Sequence, residues 1–510
     1  MSPATGIHAP LLPERKQGEK RASVHGAVFN VSTSIIGAGI MSIPATLKVL
    51  GVIPALVLIM IIAWLVDISV EFLLRYTLSG ESTTYAGVMR EAFGRVGSVT
   101  VQICVMITNL GCLIVYLIII GDVLSGNVHD GSMHLGVLQE WFGIHWWNSR
   151  AFALLFVVIF VVLPLVLFRR VGKFNFQFSF IFIHSCSKPY RALMIYSRHN
   201  SEVKESDWKA EKHGGLMVPR EVPTSKWIEI DKSWITLVHF GWPVFPESLR
   251  FSSAISVLLA VVFVGICSVM AIYALIEGKT KSPRLLPHLD NKTSFFDLFT
   301  AAPVIVTAFT FHFNVHPISF ELGKPSDMVS AVKISLLLCA GIYFTIGIFG
   351  YLLFGESIVA DILVNFDQSS DTAIGAFLND TVRLSYAFHL MLAFPLLNFS
   401  LRANIDELLF PMKPLLATDS TRFVSLTLAL LVFAYLAAIA IPNIWYFFQF
   451  MGSTSAVCLA FIFPGAIVLR DVHSISTTRD KIVAAVMIIL AVATSTIALS
   501  TNIYSMVRNK

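Results

Sequence analysis

Charged residues are scarce in this chain. Only 14% of its 510 residues are Asp, Glu, Lys or Arg, whereas 55% are hydrophobic. Soluble domains carry about 25% charged residues, so the composition excludes a soluble globular protein and a disordered chain. The formal net charge of +5 is too small to indicate a nucleic-acid partner. The remaining class is a polytopic helical membrane protein, whose surroundings are the lipid bilayer.

Cysteine is also rare. Five of the six Cys lie in apolar runs, where a thiol behaves as a small hydrophobic group and not as half of a disulfide. No His/Cys set has metal-ligand spacing and no nucleophile–base constellation appears, so the sequence predicts no metal site, no cofactor and no enzyme. Residues 1–23 are polar and basic and lack the apolar core of a signal peptide. They predict a disordered tail that stays in the cytosol.

Long apolar stretches are what the chain does contain. A helix needs about 20 apolar residues to cross a bilayer, and we predict eleven such spans. They are 25–49, 52–77, 97–121, 151–168, 249–275, 298–319, 328–354, 377–402, 422–441, 443–469 and 482–505. Lys and Arg are concentrated in alternate short loops, which supports a cytosolic N-terminus. Spans 1 to 4 therefore occupy 24–171, and spans 5 to 11 occupy 247–510.

The interval 172–246 between spans 4 and 5 differs from the rest. It holds ten Lys/Arg, seven Asp/Glu and four of the nine Trp, and its apolar residues lack helical periodicity. Two explanations are open. One is an atypical cytosolic insert. The other is a retained intron, because the codons of Gly172-Lys173 and Pro246-Glu247 can contain splice signals whose use would join Val171 directly to Glu247.

Two spans carry residues that interrupt a helix in mid-membrane. Span 1 contains Gly37, Gly39 and Pro44, and span 6 contains the polar run Thr310–Pro317. Lipid offers no substitute hydrogen bonds, so such a break must line a cavity or be buried in protein. Breaks five spans apart are the spacing expected of a 5+5 inverted-repeat transporter fold. The alternative for the glycines is a close helix-packing seam.

The chemistry of the two breaks favours a zwitterionic ligand. Amide groups at the start of a half-helix attract a carboxylate, and freed carbonyl groups accept from an ammonium. We therefore predict that an amino acid binds between the breaks, with Asn109 and Tyr116 of span 3 facing it. The predicted contacts are Gly37, Ala38, Gly39, Ile40 and Met41 for the carboxylate, and Thr310, Phe311, His312 and Phe313 for the ammonium.

Three ionisable residues are candidates for proton coupling. His312 lies in the second break and His389 in span 8, and histidine titrates near physiological pH. Asp67 lies within span 2, where lipid makes a carboxylate costly. The alternatives are a buried neutral imidazole for each histidine and, for Asp67, an interfacial ladder with Glu71 and Arg75.

Several of these motifs resemble a known family. Phe29–Ser32, Ile36–Ile40, Pro44 and Gly51 resemble the opening of the amino acid/auxin permease family. The later segments that fit it are Phe309–Pro317, Tyr351–Gly355, Phe394-Pro395 and Arg402. Within the family, the chain is most similar to plant vacuolar amino-acid transporters and to sodium-coupled neutral amino-acid transporters of animals. The resemblance implies eleven spans, the inverted-repeat fold and amino-acid transport driven by H⁺ or Na⁺.

One departure bears on the coupling ion. The sodium-coupled relatives carry an Asn four residues before the first Gly of the break, where this chain has Thr33. Leu392–Phe394 before Pro395 also offers no hydroxyl, although sodium needs several oxygen ligands. We therefore expect a secondary transporter of the vacuolar or another endomembrane that works by alternating access, proton-coupled or as a passive exporter. The alternative is an amino-acid-sensing membrane receptor, a transceptor.

Overall fold

The structure is a computed structural model. It describes residues 23–129, 132–167, 248–287, 295–322, 325–366, 373–413, 416–441 and 444–508. These residues, apart from Ser248, belong to one compact unit. The predicted tail up to residue 22 and the interval 172–246 lie outside the described residues, so both remain predictions.

The described part of the chain is helical except for one antiparallel pair of short strands, Asn127–His129 and Ser132–His134. The helices of the eleven spans are Val24–Ile35 with Gly39–Leu50; Val52–Ser79; Tyr85–Ser125; Arg150–Val157, Val158–Val162 and Leu163–Val166; Ser248–Ile276; Ala301–Phe309 with His312–Leu322; Pro325–Phe354; Ala373–Leu409; Ser420–Ala440; Ile444–Met451, Gly452–Ala456, Cys458–Ile462 and Phe463–Arg470; and Thr478–Arg508. Short helices between them are Val137–Phe142, Trp146–Asn148, Phe295–Thr300, Gly355–Ser357, Ile362–Asn365 and Leu416–Thr418.

Every predicted span coincides with an apolar helix. Nine helices in the described part of the chain are long and apolar enough to cross a bilayer, and the bent pair Val24–Ile35 and Gly39–Leu50 adds a tenth. The shorter apolar helix Arg150–Val166 lies where span 4 is predicted. The predicted polytopic all-α membrane architecture is therefore confirmed.

Span 3 begins earlier than its apolar run predicts. Its helix starts at Tyr85 and is kinked at Gly94, where φ is +66°. The turns before the kink bury Val88 and Met89 while Arg90 stays exposed. Such an amphipathic stretch carries no long apolar run, so a spanning window does not detect it. Glycine adopts the left-handed conformation needed at the kink without steric strain.

Burial separates an inner from an outer set of spans. In the most apolar window of span 6, 83% of the residues are buried within the protein, whereas span 11 buries only 22%. Large apolar side chains such as Ile489 of span 11 and Leu337 of span 7 are exposed. In a bilayer these side chains face lipid, which removes the penalty that water would impose. Span 6 therefore lies in the interior.

The two ends of the bundle differ. At one end, which we call the covered end, the loop segments 126–129, 132–149, 277–287 and 355–366 pack over the spans. Arg284 there donates to Glu356 at 2.7 and 2.9 Å, and its hydrogen bond to Tyr351 contributes most to raising the pKa of the Arg284 guanidinium. Arg383 of span 8 pairs with Glu140 at 2.6 Å. These charge-assisted bonds hold the loops against the spans.

The opposite end holds residues 80–84, 410–413, 416–419 and 471–477. Asp471 follows span 10 in a left-handed conformation and accepts a hydrogen bond from the Tyr76 hydroxyl at 2.5 Å. That bond, reinforced by Lys481 and by backbone amides of the loop, holds the pKa of the Asp471 carboxyl below its ordinary value. Asp471 thereby connects span 2 to the loop between spans 10 and 11.

Candidate functional site

Span 1 is broken at the predicted position. Half-helix 1a, Val24–Ile35, and half-helix 1b, Gly39–Leu50, are bent by 57°. The amides of Ile40 and Met41 donate to the carbonyls of Gly37 and Ala38 at 3.3 and 3.2 Å. Among the described residues, nothing accepts from the amides of Gly37, Ala38 and Gly39. The free donors at this break are therefore the first three amides of the predicted run Gly37–Met41.

The carbonyl groups of this break are paired with side chains from spans 7 and 8. The Tyr343 hydroxyl donates to the Ile35 carbonyl at 2.7 Å, and the Tyr386 hydroxyl donates to the Gly37 carbonyl at 2.6 Å. The Nε2 atom of His389 lies 2.8 Å from the Ile36 carbonyl oxygen. Leaving a buried carbonyl unpaired costs about 1–3 kcal/mol, so these side chains stabilise the bend.

Span 6 is interrupted more mildly. Half-helix 6a, Ala301–Phe309, ends at Thr310 with an extended backbone, ψ +103°, and half-helix 6b, His312–Leu322, follows. The amides of Thr310 and Asn314 donate to nearby carbonyls at 3.2 and 2.8 Å. Between them, within the described part of the chain, the amides of Phe311, His312 and Phe313 meet no acceptor across the break. Both breaks thus present three consecutive free amides.

The two breaks are in contact. A Cβ atom added to Gly39 would lie 2.6 Å from Ala308 Cβ, so only glycine permits the two half-helices to approach this closely. The side-chain amide of Asn314 donates to Ser34 Oγ at 3.1 Å. The Tyr343 hydroxyl also donates to the Ala308 carbonyl at 2.9 Å. The nine predicted contact residues are all buried. For Gly39 the close helix-packing seam is therefore present, and it lies beside the predicted binding site.

Tyr116 of span 3 lies against the break of span 1. A Cβ atom added to Gly37 would overlap the Tyr116 hydroxyl oxygen and lie 3.2 Å from its Cζ, so any larger residue at this position would clash with Tyr116. Asn109 is fully buried, and its amide has no hydrogen-bond partner within the described part of the chain.

The predicted coupling histidines differ in their surroundings. His312 Nε2 lies 2.8 Å from Ser69 Oγ of span 2. His389 Nδ1 lies 2.7 Å from the Ser256 carbonyl oxygen and 2.9 Å from Ser256 Oγ. A neutral imidazole has one N–H, whereas a protonated ring donates from both nitrogens. Since both nitrogens of His389 face a carbonyl oxygen, only the protonated ring donates to both.

Asp67 lies apart from the breaks. It is half-buried in span 2, and its charged neighbours are Lys333 of span 7 and Glu71. Arg75 pairs with Asp480 of span 11 at 3.3 Å. The interfacial ladder of Asp67, Glu71 and Arg75 is therefore wrong, because the arginine turns toward another span. Thr33, at the position where sodium-coupled relatives carry Asn, donates to the Ser253 carbonyl at 3.1 Å.

A cavity of about 60 Å³ leads from the second break toward the opposite end. Its lining residues come from spans 3, 6 and 8 and the loop before span 3. They are Thr83, Thr84, Tyr85, Ala86, Val105, Phe313, His316, Pro317, Phe320, Phe399, Ser400, Ala403, Asn404 and Glu407. Among the described residues, the Ser400 hydroxyl and His316 Nδ1 have no hydrogen-bond partner. The cavity has room for several waters, and its polar atoms suit a hydrated path.

The residues that sequence reasoning missed are the tyrosines of spans 7 and 8. Tyr343 and Tyr386 are fully buried and supply the hydroxyl groups that replace lost helix bonds. A tyrosine in mid-span is a detectable signal, because its hydroxyl needs a partner when buried. Across the described ranges, no group of three or more His, Cys, Asp or Glu is placed to hold a metal ion.

A polytopic helical bundle with facing, buried interruptions in spans 1 and 6 defines an integral membrane protein of a transporter fold. Residues 20–217 and 237–507 match the family described as transmembrane amino acid transporter protein. The chain belongs to that family, and the resemblance found in its motifs is confirmed. The stretch 218–236 between the two matches lies within the interval 172–246.

Similar proteins of known name agree with this membership. The chain is 55% identical to amino acid transporter AVT6C of Arabidopsis thaliana over the full length of both proteins. It is 42% identical to amino acid transporter AVT6A of the same plant, covering 98% of this chain and 94% of that protein. It is 23% identical to the putative sodium-coupled neutral amino acid transporter 10 of Xenopus laevis, covering 93% of this chain but 37% of that protein.

A solved structure shares the fold. A mutant manganese transporter of Eremococcus coleocola superposes with a TM-score of 0.51 at 12% identity, covering 97% of this chain and 90% of that one. At this identity the likeness concerns the arrangement of helices and not the cargo.

Proposed function

We propose that this protein is a secondary transporter that moves amino acids across the vacuolar or another endomembrane by alternating access. The observation that carries the proposal is the pair of facing breaks, each with three consecutive free amides in a buried setting. The names of the Arabidopsis relatives support an amino acid as the cargo. Within the predicted run Gly37–Met41, the free amides of Gly37, Ala38 and Gly39 meet the substrate carboxylate, and carbonyl groups around Thr310–Phe313 meet its ammonium.

The described conformation supports access from the opposite end. The cavity at Phe313 and His316 opens toward that end, while bonded loops close the covered end. In alternating access, a second conformation opens the covered end and closes this cavity. With the N-terminus in the cytosol, the opposite end faces the cytosol and the covered end faces the lumen.

Proton coupling is favoured over sodium coupling by the contacts of His389. A sodium ion needs oxygen ligands, but the Ile36 and Ser256 carbonyl oxygens face the two nitrogens of this ring. In the neutral ring, Nδ1 can accept from the Ser256 hydroxyl, whereas a proton on Nδ1 lets it donate to the Ser256 carbonyl oxygen instead. His389 thereby connects proton binding to the backbone of span 1 at its break and to span 5. Asp67 and His312 remain the other candidates.

The test is flux of radiolabelled amino acids into proteoliposomes that contain the full chain. An imposed pH gradient should drive uptake at least about tenfold above background, and replacing Na⁺ by K⁺ should leave uptake unchanged. His389→Gln should reduce the response to the pH gradient, whereas the matched control His145→Gln, in an exposed loop at the covered end, should retain it. Absence of amino-acid flux under all gradients overturns the transport proposal. A strict Na⁺ requirement overturns proton coupling.

A further inference from the structure

A buried carboxylate at the covered end is not used by the site described above. Asp361 caps the short helix Ile362–Asn365, and its Oδ1 accepts from the Leu363 amide at 2.9 Å. The residue is only 4% exposed, and among the described residues nothing donates to its Oδ2. A buried, unpaired carboxylate oxygen destabilises the ionised form relative to the protonated form.

The charges around Asp361 do not neutralise it. Asp122 and Arg383 both act on it electrostatically, and both line an adjacent cavity of about 10 Å³, which has room for about one water. Asp122 is paired with Arg150 and Arg383 with Glu140. Burial, aided by Asp122, raises the pKa of the Asp361 carboxyl to about 7 against the opposing effects of the Leu363 amide and Arg383.

The segment that holds Asp361 is bonded to half-helix 1b. Ser42 Oγ of half-helix 1b donates to the Ala360 carbonyl at 2.7 Å, and Lys48 Nζ donates to the Ile358 carbonyl at 3.1 Å. Asp361 also interacts electrostatically with Tyr386, whose hydroxyl bonds the Gly37 carbonyl at the break. A change in the charge of Asp361 therefore acts on contacts made by half-helix 1b and by the break that precedes it.

We propose that Asp361 is a proton-binding site that holds the covered end closed while it carries a proton and releases segment 358–366 when it loses it. The proposal rests on the proposed function and adds a regulatory step to it. In a transporter, a proton taken up from the covered side would favour closure of that end after the substrate has bound. The groups that face Asp361, or are bonded to one that does, are Lys48, Asp122, His134, Glu140, Arg150, Arg383 and Tyr386.

The sign of the pH effect follows from proton linkage. An open, hydrated Asp361 has an ordinary acidic pKa, whereas the closed form has a raised one. The closed form therefore binds more protons at intermediate pH, and its stability falls as the pH rises. Closure is fully favoured below the ordinary carboxyl pKa and is progressively lost as the pH approaches about 7.

Hydrogen–deuterium exchange on the purified full chain in lipid nanodiscs tests this without any substrate. After correction for the intrinsic rate, the amides of 358–366 should exchange about tenfold faster, or more, at pH of about 8 than at about 5.5. Asp361→Asn keeps the helix cap, since Asn is an equally good N-cap, and should remain protected at both pH values. Asp361→Ser, a second neutral cap, should behave alike and serves if the Asn variant fails to fold.

The control is Asp419→Asn. Asp419 caps span 9 at the opposite end by accepting from the Arg422 amide at 3.1 Å, and its replacement should leave the wild-type pH response of 358–366 intact. Equal protection of wild type at both pH values, or a preserved pH response in both neutral-cap variants, overturns the proposal. Because exchange needs no amino acid, failure of the flux experiment and failure of this one are distinguishable.

Discussion

Span 1 and span 6 are both interrupted in mid-span, yet the chain bends by 57° in one and continues as a single 25-residue run, Leu298–Leu322, in the other. The difference lies in what replaces the lost helix bonds. Span 1 draws donors for three successive carbonyls from Tyr343, His389 and Tyr386. At the break of span 6, the one side-chain donor from another span among the described residues is Tyr343, which bonds the Ala308 carbonyl. A sharp bend in lipid thus depends on side chains from other spans.

This contrast also separates two roles. Half-helix 1b is tied to the covered end through Ser42 and Lys48, whereas half-helix 6b lines the cavity toward the opposite end through Phe313 and His316. Each break therefore connects the shared centre to a different end of the bundle. Alternating access requires one such connection per end.

The largest effect is expected where the breaks touch. Gly39→Val places a Cβ against the Cα and Cβ of Ala308, at 2.7 and 2.6 Å, and backbone cannot yield as a flexible side chain can. Overpacking of about 1–3 kcal/mol should reduce amino-acid flux at least about tenfold while the protein still inserts into membranes. Gly341→Val, whose Cβ meets nothing within 4 Å, is the control. Wild-type flux in Gly39→Val would contradict the proposal that transport depends on this contact between the breaks.

Removing the hydroxyl that serves both breaks should have the next largest effect. Tyr343→Phe leaves the Ile35 and Ala308 carbonyls without their donor, a loss on the order of 2 kcal/mol. We expect a lower thermal unfolding temperature in detergent and flux reduced several-fold. Tyr435→Phe is the matched control, because its hydroxyl donates to the Ala151 carbonyl at an exposed position. An unchanged unfolding temperature in Tyr343→Phe would show that the bend does not need this donor.

A smaller effect is expected from the single side-chain bond between the breaks. Asn314→Ala removes the donor to Ser34 Oγ, worth about 1 kcal/mol, and should lower flux about threefold without changing its pH response. Ser268→Ala, which removes a hydrogen bond within span 5 away from the breaks and the cavity, is the control. If both variants behave alike, the bond has no special role.

The smallest effect tests whether backbone or side chain acts in span 6. The Thr310 hydroxyl bonds the Val306 carbonyl one turn back, which contributes little to a helix. Thr310→Val should therefore leave flux within about twofold of wild type, because the proposal assigns the ammonium to backbone carbonyls. A loss comparable to that of Gly39→Val would move the ligand contact to the hydroxyl.

Much of the arrangement is readable from residues that are costly in lipid. The bend of span 1 is predicted by Gly37, Gly39 and Pro44. The milder break of span 6 is predicted by Thr310 and His312. Tyr116 is also predictable, because a helical repeat places it on the inner face of span 3. Tyr343 and Tyr386 escape prediction, since their hydroxyl partners are carbonyls of another span. Asp361 escapes for a similar reason: its burial and its neighbour Asp122 depend on how the covered end folds.

The sequence by itself determines which segments enter the membrane and where two of them cannot stay helical, because hydropathy and the properties of Gly and Pro are local. Only the tertiary structure decides which amides remain free and which carbonyls accept hydrogen bonds from a tyrosine or a histidine of another span. It also decides that the Asp361 carboxylate is buried near Asp122. Those outcomes depend on contacts between spans that are hundreds of residues apart in the chain. Distance and burial, and not composition, set the strength of a hydrogen bond or a charge.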